Sequence, residues 1–276
     1  MIDEQHSIIE DLSVTVGFDI ERERERRIDF LATYLRSSGA KGYVLGISGG
    51  VDSLTAALLA QEAVRRLRGT GYQAAFIAVR LPYGVQADES DAQLSLDFIK
   101  PDRVVTVNIR AAADAMMSDV MREAGDMFDA HRKDFHLGNI KARQRMIAQY
   151  AIAGAAGGLV IGTDHAAEAL MGFFTKHGDG AADIVPLAAL NKRRVRAVAT
   201  SMGAPDRLVF KIPTADLETD TPLKPDEDAY GVTYEQIDDF LEGKDIEPSA
   251  RERIVMTYRS SAHKRALPAA PLSDLR

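Results

Sequence analysis

The chain has 276 residues, of which 46% are hydrophobic and 27% are charged, and it contains no cysteine. A chain of this length buries enough apolar surface to fold without disulfide bonds, and the missing thiols exclude cysteine nucleophiles, cysteine-ligated zinc and iron–sulfur clusters. The net charge of −7 argues against a protein that binds nucleic acid over its whole surface, so we expect no nucleic-acid partner.

We expect no secretory signal, because residues 1–18 carry acidic side chains and lack both a basic segment and an apolar one. The longest apolar stretch, 151–162, is too short and too rich in glycine to span a bilayer. We therefore predict a cytoplasmic protein with no membrane partner, which agrees with the missing cysteine.

Along most of the chain, apolar runs that do not alternate with polar residues are separated by segments of helical periodicity. Strands of this kind are buried on both faces, which is typical of parallel pairing through βαβ crossovers. The predicted strands are 42–47, 74–81, 103–107 and 159–161, with a last edge strand at 208–212. The predicted helices are 19–36, 53–67, 88–99, 111–123, 141–156, 164–170, 233–241 and 248–262. The pattern predicts an α/β fold with a doubly wound, mostly parallel sheet, helices on both faces and a helical C-terminal extension.

The composition of the chain changes at 213–231, a segment that is rich in proline and acidic residues and has little hydrophobic periodicity. Irregular segments of this length are often functional loops, so we predict a mobile loop there. We expect one domain over residues 1–276, with residues 1–18 as an N-terminal arm and 232–276 as a helical tail.

The loop after the first strand has the sequence Ser48-Gly49-Gly50-Val51-Asp52-Ser53 and leads into a helix. Adjacent glycines let backbone N–H groups approach a ligand, and the helix N-terminus adds unpaired donors, so an anion site is expected. The simpler alternative is a capped turn with Asp52 or Ser53 as the N-cap. A Walker A loop is excluded because no lysine lies within 42–53, and the dinucleotide fingerprint Gly-x-Gly-x-x-Gly is also missing from this turn.

This loop resembles the pyrophosphate loop, Ser-Gly-Gly-x-Asp-Ser, of the ATP pyrophosphatase superfamily, whose members cleave ATP between its α and β phosphates. Further segments carry a closer resemblance, and they are 80–89, 141–150, 162–168, 172–180, 213–217 and 263–265. In this order they are similar to the NAD synthetases of the short, ammonia-dependent type, from about residue 21 to residue 268. The resemblance implies an adenine-nucleotide alpha-hydrolase-like fold.

The reaction that the resemblance implies is the amidation of deamido-NAD with ammonia, driven by ATP and Mg²⁺. The nicotinate carboxylate attacks the α phosphate, and ammonia then displaces AMP from the NAD-adenylate. The family also implies a homodimer, in which the helix that contains Arg143 lies at the interface and contributes to the partner's dinucleotide site.

The resemblance also implies site residues, here in the numbering of this chain. The implied ATP contacts are Gly46, Ile47, Ser48, Gly49, Gly50, Val51, Asp52, Ser53, Arg80, Gln86, Thr163, Lys192 and Thr214. The implied deamido-NAD contacts are Phe135, Asn139, Arg143, Lys176, Asp183, His263 and Lys264. Asp52 and Glu168 would hold the metal ion, and the residues with an implied catalytic part are Asp52, Lys176, Lys192 and Asp183.

The residue types fit this chemistry. Asp52 and Glu168 follow two strand-to-helix turns, and Mg²⁺ typically takes one or two carboxylates plus substrate phosphates. Lys176 and Lys192 would supply the cations that phosphoryl transfer needs. Lys192 opens a basic cluster at a helix start, which is an unfavourable place for cations unless an anion lies nearby. The simpler alternatives are a first-turn acid for Glu168 and a surface lysine for Lys176.

Other candidate residues are more ambiguous. Asp183 is a candidate to hold or deprotonate ammonium. Phe135 stacks on a base or belongs to the core, and His263 contacts substrate or only ends a helix. His165 receives no metal role, because a lone histidine suits Mg²⁺ poorly.

Two other kinds of protein fit the loop: a related amidating or thiolating ligase that acts on a nucleotide base or tRNA, and a non-catalytic nucleotide-binding module. The missing cysteine disfavours thiolation, and the acidic balance disfavours tRNA. Glutamine-dependent NAD synthetases carry an added domain with a cysteine nucleophile, so we expect this chain to use free ammonia.

Overall fold

The structure is a computed structural model that describes residues 4–84, 89–214 and 225–271. Its strands are β1 Gly42–Gly46, β2 Ala75–Arg80, β3 Arg103–Thr106 and β4 Leu159–Val160. Its helices are α1 Glu4–Asp11, α2 Ile20–Ser38, α3 Val51–Gly69, α4 Glu89–Ile99, α5 Arg110–Ala124, α6 Lys133–Ala156, α7 Ala166–Met171, α8 Lys192–Ser201, α9 Asp206–Val209, α10 Asp226–Tyr230, α11 Tyr234–Leu241, α12 Pro248–Ser260 and α13 Ala262–Arg265. None of the helices in the described ranges is long and apolar enough to cross a membrane.

The sheet is parallel and has the strand order β3-β2-β1-β4. In its register, Tyr43 of β1 pairs with Phe76 on one side and with Leu159 on the other. A parallel bridge between Ile161 and Ile184 extends the edge beyond β4. The predicted fold class, a mostly parallel α/β sheet with helices around it, is confirmed.

Both faces of the sheet are covered. Tyr43 and Leu45 belong to the larger core, which α2, α3 and α8 complete, whereas Val44 belongs to the core on the side of α6. All three side chains are at most 2% exposed. The lack of alternation in the sequence of β1 therefore results from burial on both sides.

The predicted edge strand at 208–212 is wrong, because residues Asp206–Val209 form the short helix α9. Pro205 precedes its first turn, and the N–H groups of Leu208 and Val209 both donate to the Pro205 carbonyl. Leu208 and Val209 are fully buried in the larger core. A short buried apolar run does not distinguish a strand from a helical turn, and the proline is the signal that favoured the helix.

A separate core joins the two ends of the chain. Apolar side chains of α1 pack with those of α7, α11 and α12. The buried side-chain amide of Gln5 donates to the carbonyls of Phe240 and Lys244, at 2.8 Å and 3.1 Å. The predicted N-terminal arm thus contains a helix that closes a core with the predicted helical tail.

Candidate active site

A cleft of about 500 Å³ opens at the carboxyl edge of the sheet. Its walls come from the ends of β1 and β2, the start of α3, the 162–181 region, the start of α8 and α10. The volume suits a small-molecule ligand of nucleotide size. The sheet order places the loops after β1 and β4 side by side, so their side chains meet in this cleft.

The loop after β1 turns sharply into α3. Gly49 has φ +88°, and a Cβ atom there would lie 2.9 Å from the Ala92 nitrogen, so both the conformation and the space require glycine. Ser48 Oγ accepts from the Gly50 N–H at 3.3 Å and lies 3.2 Å from Ser53 Oγ. These hydrogen bonds hold the loop in a tight, preformed shape.

The N-cap residue of α3 is Gly50, which has no side chain that could cap the helix. The alternative of a capped turn with Asp52 or Ser53 as N-cap is therefore wrong, because both residues already lie within the first turn. The first-turn N–H groups and the positive end of the helix dipole face the cleft, which is an arrangement that favours an anion.

Asp52 and Lys192 form an ion pair at the base of the cleft. Lys192 Nζ lies 2.7 Å and 3.0 Å from the two carboxylate oxygens, and the lysine is 1% exposed. Burial alone would raise the pKa of Asp52, but the charge of Lys192 and its hydrogen bonds to the carboxylate outweigh burial and hold this pKa below its usual range. Burial would lower the pKa of Lys192, but Asp52 and Glu168 raise it overall. Both groups are therefore charged at neutral pH.

The start of α8 carries the basic cluster that the sequence analysis singled out. Asn191 caps the helix, and the Asp238 carboxylate accepts from the N–H groups of Lys192 at 3.0 Å and Arg193 at 2.7 Å. The anion expected near these cations is thus a side chain of the protein itself. Burial raises the pKa of Asp238 to about 6, although the two N–H groups oppose the shift.

Asp52, His165 and Glu168 lie together where the starts of α3 and α7 meet. One ligand atom from each lies within 4.8 Å of the others, a spacing that a metal ion can bridge. Burial and the negative charge of Asp52 raise the pKa of Glu168 well above its usual range. Burial lowers the pKa of His165 to about 3, so its imidazole is neutral. The two carboxylates offer the oxygen ligands that suit Mg²⁺.

A second group of predicted residues meets where α6, the 172–180 loop and α13 come together. Lys176 Nζ donates to the His263 carbonyl at 2.5 Å, and Arg143 donates to the Lys176 carbonyl at 3.2 Å. Asn139 accepts from Thr175 Oγ1 at 3.0 Å. This junction lies beside the cleft and joins the middle of the chain to its C-terminal helices.

Comparison with known proteins agrees with this geometry. The family model described as NAD synthase matches residues 23–268, which is most of the chain. The protein belongs to the NAD synthase family. A relative from Streptomyces coelicolor named NH(3)-dependent NAD(+) synthetase is 61% identical over 267 residues, covering 97% of both chains. The crystal structure of a NAD⁺ synthetase from Burkholderia pseudomallei has 56% identity and a TM-score of 0.83, covering 96% of both chains. The structure of an NMN synthetase from Francisella tularensis has 35% identity and a TM-score of 0.79, covering 92% of this chain and 99% of that one.

The structure brings most of the family-implied ATP contacts to the cleft wall. They are Gly46, Ile47, Ser48, Gly50, Val51, Asp52, Ser53, Arg80, Thr163, Lys192 and Thr214. Gly49 lies in the same loop, and Gln86 lies outside the described residues. Arg80 is buried, donates to the Ile47 carbonyl and pairs with Glu89 at 2.7 Å, so it also ties β2 to the loop.

The family-implied deamido-NAD contacts divide into two sets. Phe135, Asn139 and Lys264 line the cleft. Arg143, Lys176 and His263 meet at the junction beside it. Asp183 lies elsewhere: it is exposed, its carboxylate accepts from the Val160 N–H at 2.7 Å, and the structure does not bring it to the cleft. Its part in ammonium binding stays a prediction.

Two acidic groups that line the cleft, Asp226 and Asp179, were not predicted from the sequence. Asp226 lines the cleft, is 7% exposed and accepts from Tyr234 at 2.9 Å, and its Oδ1 is buried with no hydrogen-bond partner among the described residues. Asp179 also lines the cleft and accepts from the Thr175 N–H at 2.9 Å. Asp226 stands in a run of acidic residues that is typical of an exposed loop, so no local signal distinguished it.

Proposed function

We propose that this protein is a ligase that forms a C–N bond, amidating deamido-NAD with ammonia to give NAD, with ATP cleaved to AMP and pyrophosphate. The observation that carries the proposal is the uncapped N-terminus of α3 beside the ion pair of Asp52 with the buried Lys192, in a cleft of nucleotide size. Together they form an anion site that is fixed before any ligand arrives.

In the first step, the nicotinate carboxylate attacks the α phosphate, an NAD-adenylate forms and pyrophosphate leaves. The backbone of residues 48–53 holds the leaving pyrophosphate, and Lys192 neutralises the charge that develops on it. Asp52 and Glu168 would hold Mg²⁺, which when bound neutralises phosphate oxygens as a Lewis acid. Carboxylate oxygens within metal-bridging distance support this assignment.

In the second step, ammonia attacks the activated carbonyl and AMP leaves. Phe135, Asn139 and Lys264, which line the cleft, hold the dinucleotide there. Lys176, from the junction beside the cleft, is proposed to contact it as well. A homodimer is part of the proposal: α6 presents Phe135 and Ile147, which are 46% and 52% exposed, as apolar surface for a second copy. We place the protein in the cytoplasm, in keeping with a chain that has no cysteine.

The deciding assay incubates the protein with Mg-ATP, deamido-NAD and ammonium and measures AMP and NAD. We expect equal amounts of both, no NAD when glutamine replaces ammonium, and less product with nicotinate mononucleotide, the shorter substrate that the NMN synthetase relative suggests. Asp52→Asn abolishes turnover, whereas Asp119→Asn on exposed α5 serves as the matched control and leaves it unchanged. AMP that forms without deamido-NAD refutes the proposal.

The proposed shared sites have their own test. Asp52→Ala and Arg143→Ala damage different parts of the site, so mixing the two inactive proteins creates hybrid dimers in which one site is intact. Regained activity after mixing supports sites that are shared across the interface. Mass spectrometry verifies that hybrid dimers have formed. If such dimers regain no activity, the proposal of shared sites is contradicted.

A further inference from the structure

His165 begins α7 and lies against both carboxylates of the proposed metal site. It is the N-cap of the helix, and the residue is 1% exposed. Nδ1 accepts from the Glu168 N–H at 3.4 Å. Nε2 lies on the other side of the ring, 3.4 Å from Asp52 Oδ1 and 3.5 Å from Glu168 Oε1.

The helix cap determines which ring nitrogen carries the proton. A nitrogen that accepts a hydrogen bond has no proton, so a neutral imidazole that caps α7 through Nδ1 is protonated on Nε2. Turning the ring over would place a carbon against the Glu168 N–H and leave that donor unpaired. The Nε2–H group therefore points toward the space between Asp52 and Glu168.

The Nε2 atom is buried and makes no complete hydrogen bond among the described residues. A buried donor in this state costs free energy until an acceptor approaches, so the two carboxylates are drawn toward it. Lys192 already donates to both carboxylate oxygens of Asp52, at 3.0 Å and 2.7 Å. Asp52 is therefore held by Lys192, and the Nε2–H group of His165 is a donor placed within 3.5 Å of both carboxylates.

We propose that His165 is a positioning residue, which caps α7 through Nδ1 and orients Asp52 and Glu168 toward a divalent cation through its Nε2–H group. The inference rests on the proposed metal site. It assigns His165 no bond to the cation, because the nitrogen that faces the carboxylates carries a proton. Partners of this kind typically change metal affinity by 10- to 100-fold.

Two substitutions test the roles of the two ring nitrogens separately. The Asn side chain places its oxygen where Nδ1 lies and is a good N-cap, so His165→Asn keeps the cap and removes the donor. The Gln side chain places its amide nitrogen where Nε2 lies, so His165→Gln keeps the donor and removes the cap. The thermal stability of each variant reports the contribution of the Nδ1 cap, and its affinity for the cation reports the contribution of the Nε2–H donor.

The test titrates each protein with MnCl₂ without nucleotide and measures free Mn²⁺ by electron paramagnetic resonance. We expect His165→Asn to weaken Mn²⁺ binding roughly 10-fold or more while His165→Gln retains most of it. The reverse order, or equal loss in both variants, overturns the inference. Asp52→Asn is the control for the site itself. A wild-type protein that binds no Mn²⁺, or an Asp52→Asn variant that binds it as tightly as the wild type, refutes the proposed metal site.

A second measurement observes the ring in the wild-type protein, and the His165→Gln variant serves only to assign its signal. In wild-type protein with ¹⁵N-labelled histidine, long-range proton–nitrogen correlation spectra identify the protonated nitrogen of each ring. The His165 signal is the one that is missing from the spectrum of His165→Gln. We expect this signal to show a neutral ring with its proton on Nε2, both before and after Mg²⁺ is added. A proton on Nδ1, or its loss from Nε2 when Mg²⁺ is added, would overturn the inference.

Discussion

Removing both charges of the Asp52–Lys192 pair should destabilise the protein less than the two single removals added together. The Lys192 side chain is 2% exposed and that of Asp52 is 19% exposed, with 2.7 Å between the charged atoms. Removing one partner of a buried pair typically costs about 3–5 kcal/mol, because the other charge is left uncompensated. Since Asp52 is partly exposed, we expect about 3 kcal/mol for either Lys192→Met or Asp52→Asn, at the lower end of that range.

The assay is urea unfolding at pH 7, followed by circular dichroism, for both single variants and the double variant. A neutral pair leaves no buried charge, so the double variant should be at least about 2 kcal/mol more stable than the sum of the single effects predicts. The exposed pair Arg122–Asp119, whose charged atoms lie 2.8 Å apart, is the matched control, and the effects of its variants should be additive. Additive losses at Asp52 and Lys192 would refute the reasoning.

Three further outcomes follow from local geometry. Gly49→Ala should lower the free energy of unfolding by about 1–3 kcal/mol and raise the KM for ATP. Gly50→Ala is the control and should have little effect, because its added methyl group meets only Ser48 Oγ, at 3.4 Å. Equal effects of the two variants would contradict the strain argument. Gln5→Ala removes both hydrogen bonds from α1 to the end of α11 and should cost about 1–3 kcal/mol in thermal unfolding, with wild-type stability as the contrary result. Burial raises the pKa of Asp238 from 3.8 to about 6, so the folded protein holds this proton more tightly than the unfolded chain. The resulting stability, about 3 kcal/mol, is fully present below about pH 4 and is lost as the pH rises through about 6. The side chain of Asp238→Asn does not titrate, so the free energy of unfolding of this variant should depend less on pH than that of the wild type. Parallel pH profiles of the two proteins would refute the prediction.

The sequence was informative where one local pattern determines both conformation and chemistry. The Ser-Gly-Gly-x-Asp-Ser run predicted a turn between strand and helix, and the structure has that turn at residues 47–50. The parallel sheet could be predicted because strands buried on both faces lack alternation, as in β1. The cleft could then be placed at the carboxyl edge without any knowledge of the strand order.

What the sequence could not predict depends on contacts between distant segments. The basic cluster at the start of α8 suggested an anion nearby, but Asp238, which accepts from the backbone N–H of Lys192, lies in another helix, 46 residues along the chain. Asp226 and Asp238 have the local character of solvent-exposed acids, and only folding buries them. The helix α1 is short and has few apolar residues, so its place in the core that it forms with α7, α11 and α12 had no strong signal of its own.

The cleft lies between two separately packed interiors. One wall is built on the larger core through β1 and α3, and the other on the core that α1, α7, α11 and α12 form. We expect the two interiors to open locally with different free energies, so each should have its own rate of amide hydrogen exchange. A nucleotide that contacts both walls ties them together. Slower exchange of both interiors at once, rather than of the cleft lining alone, would then be the signature of ligand binding.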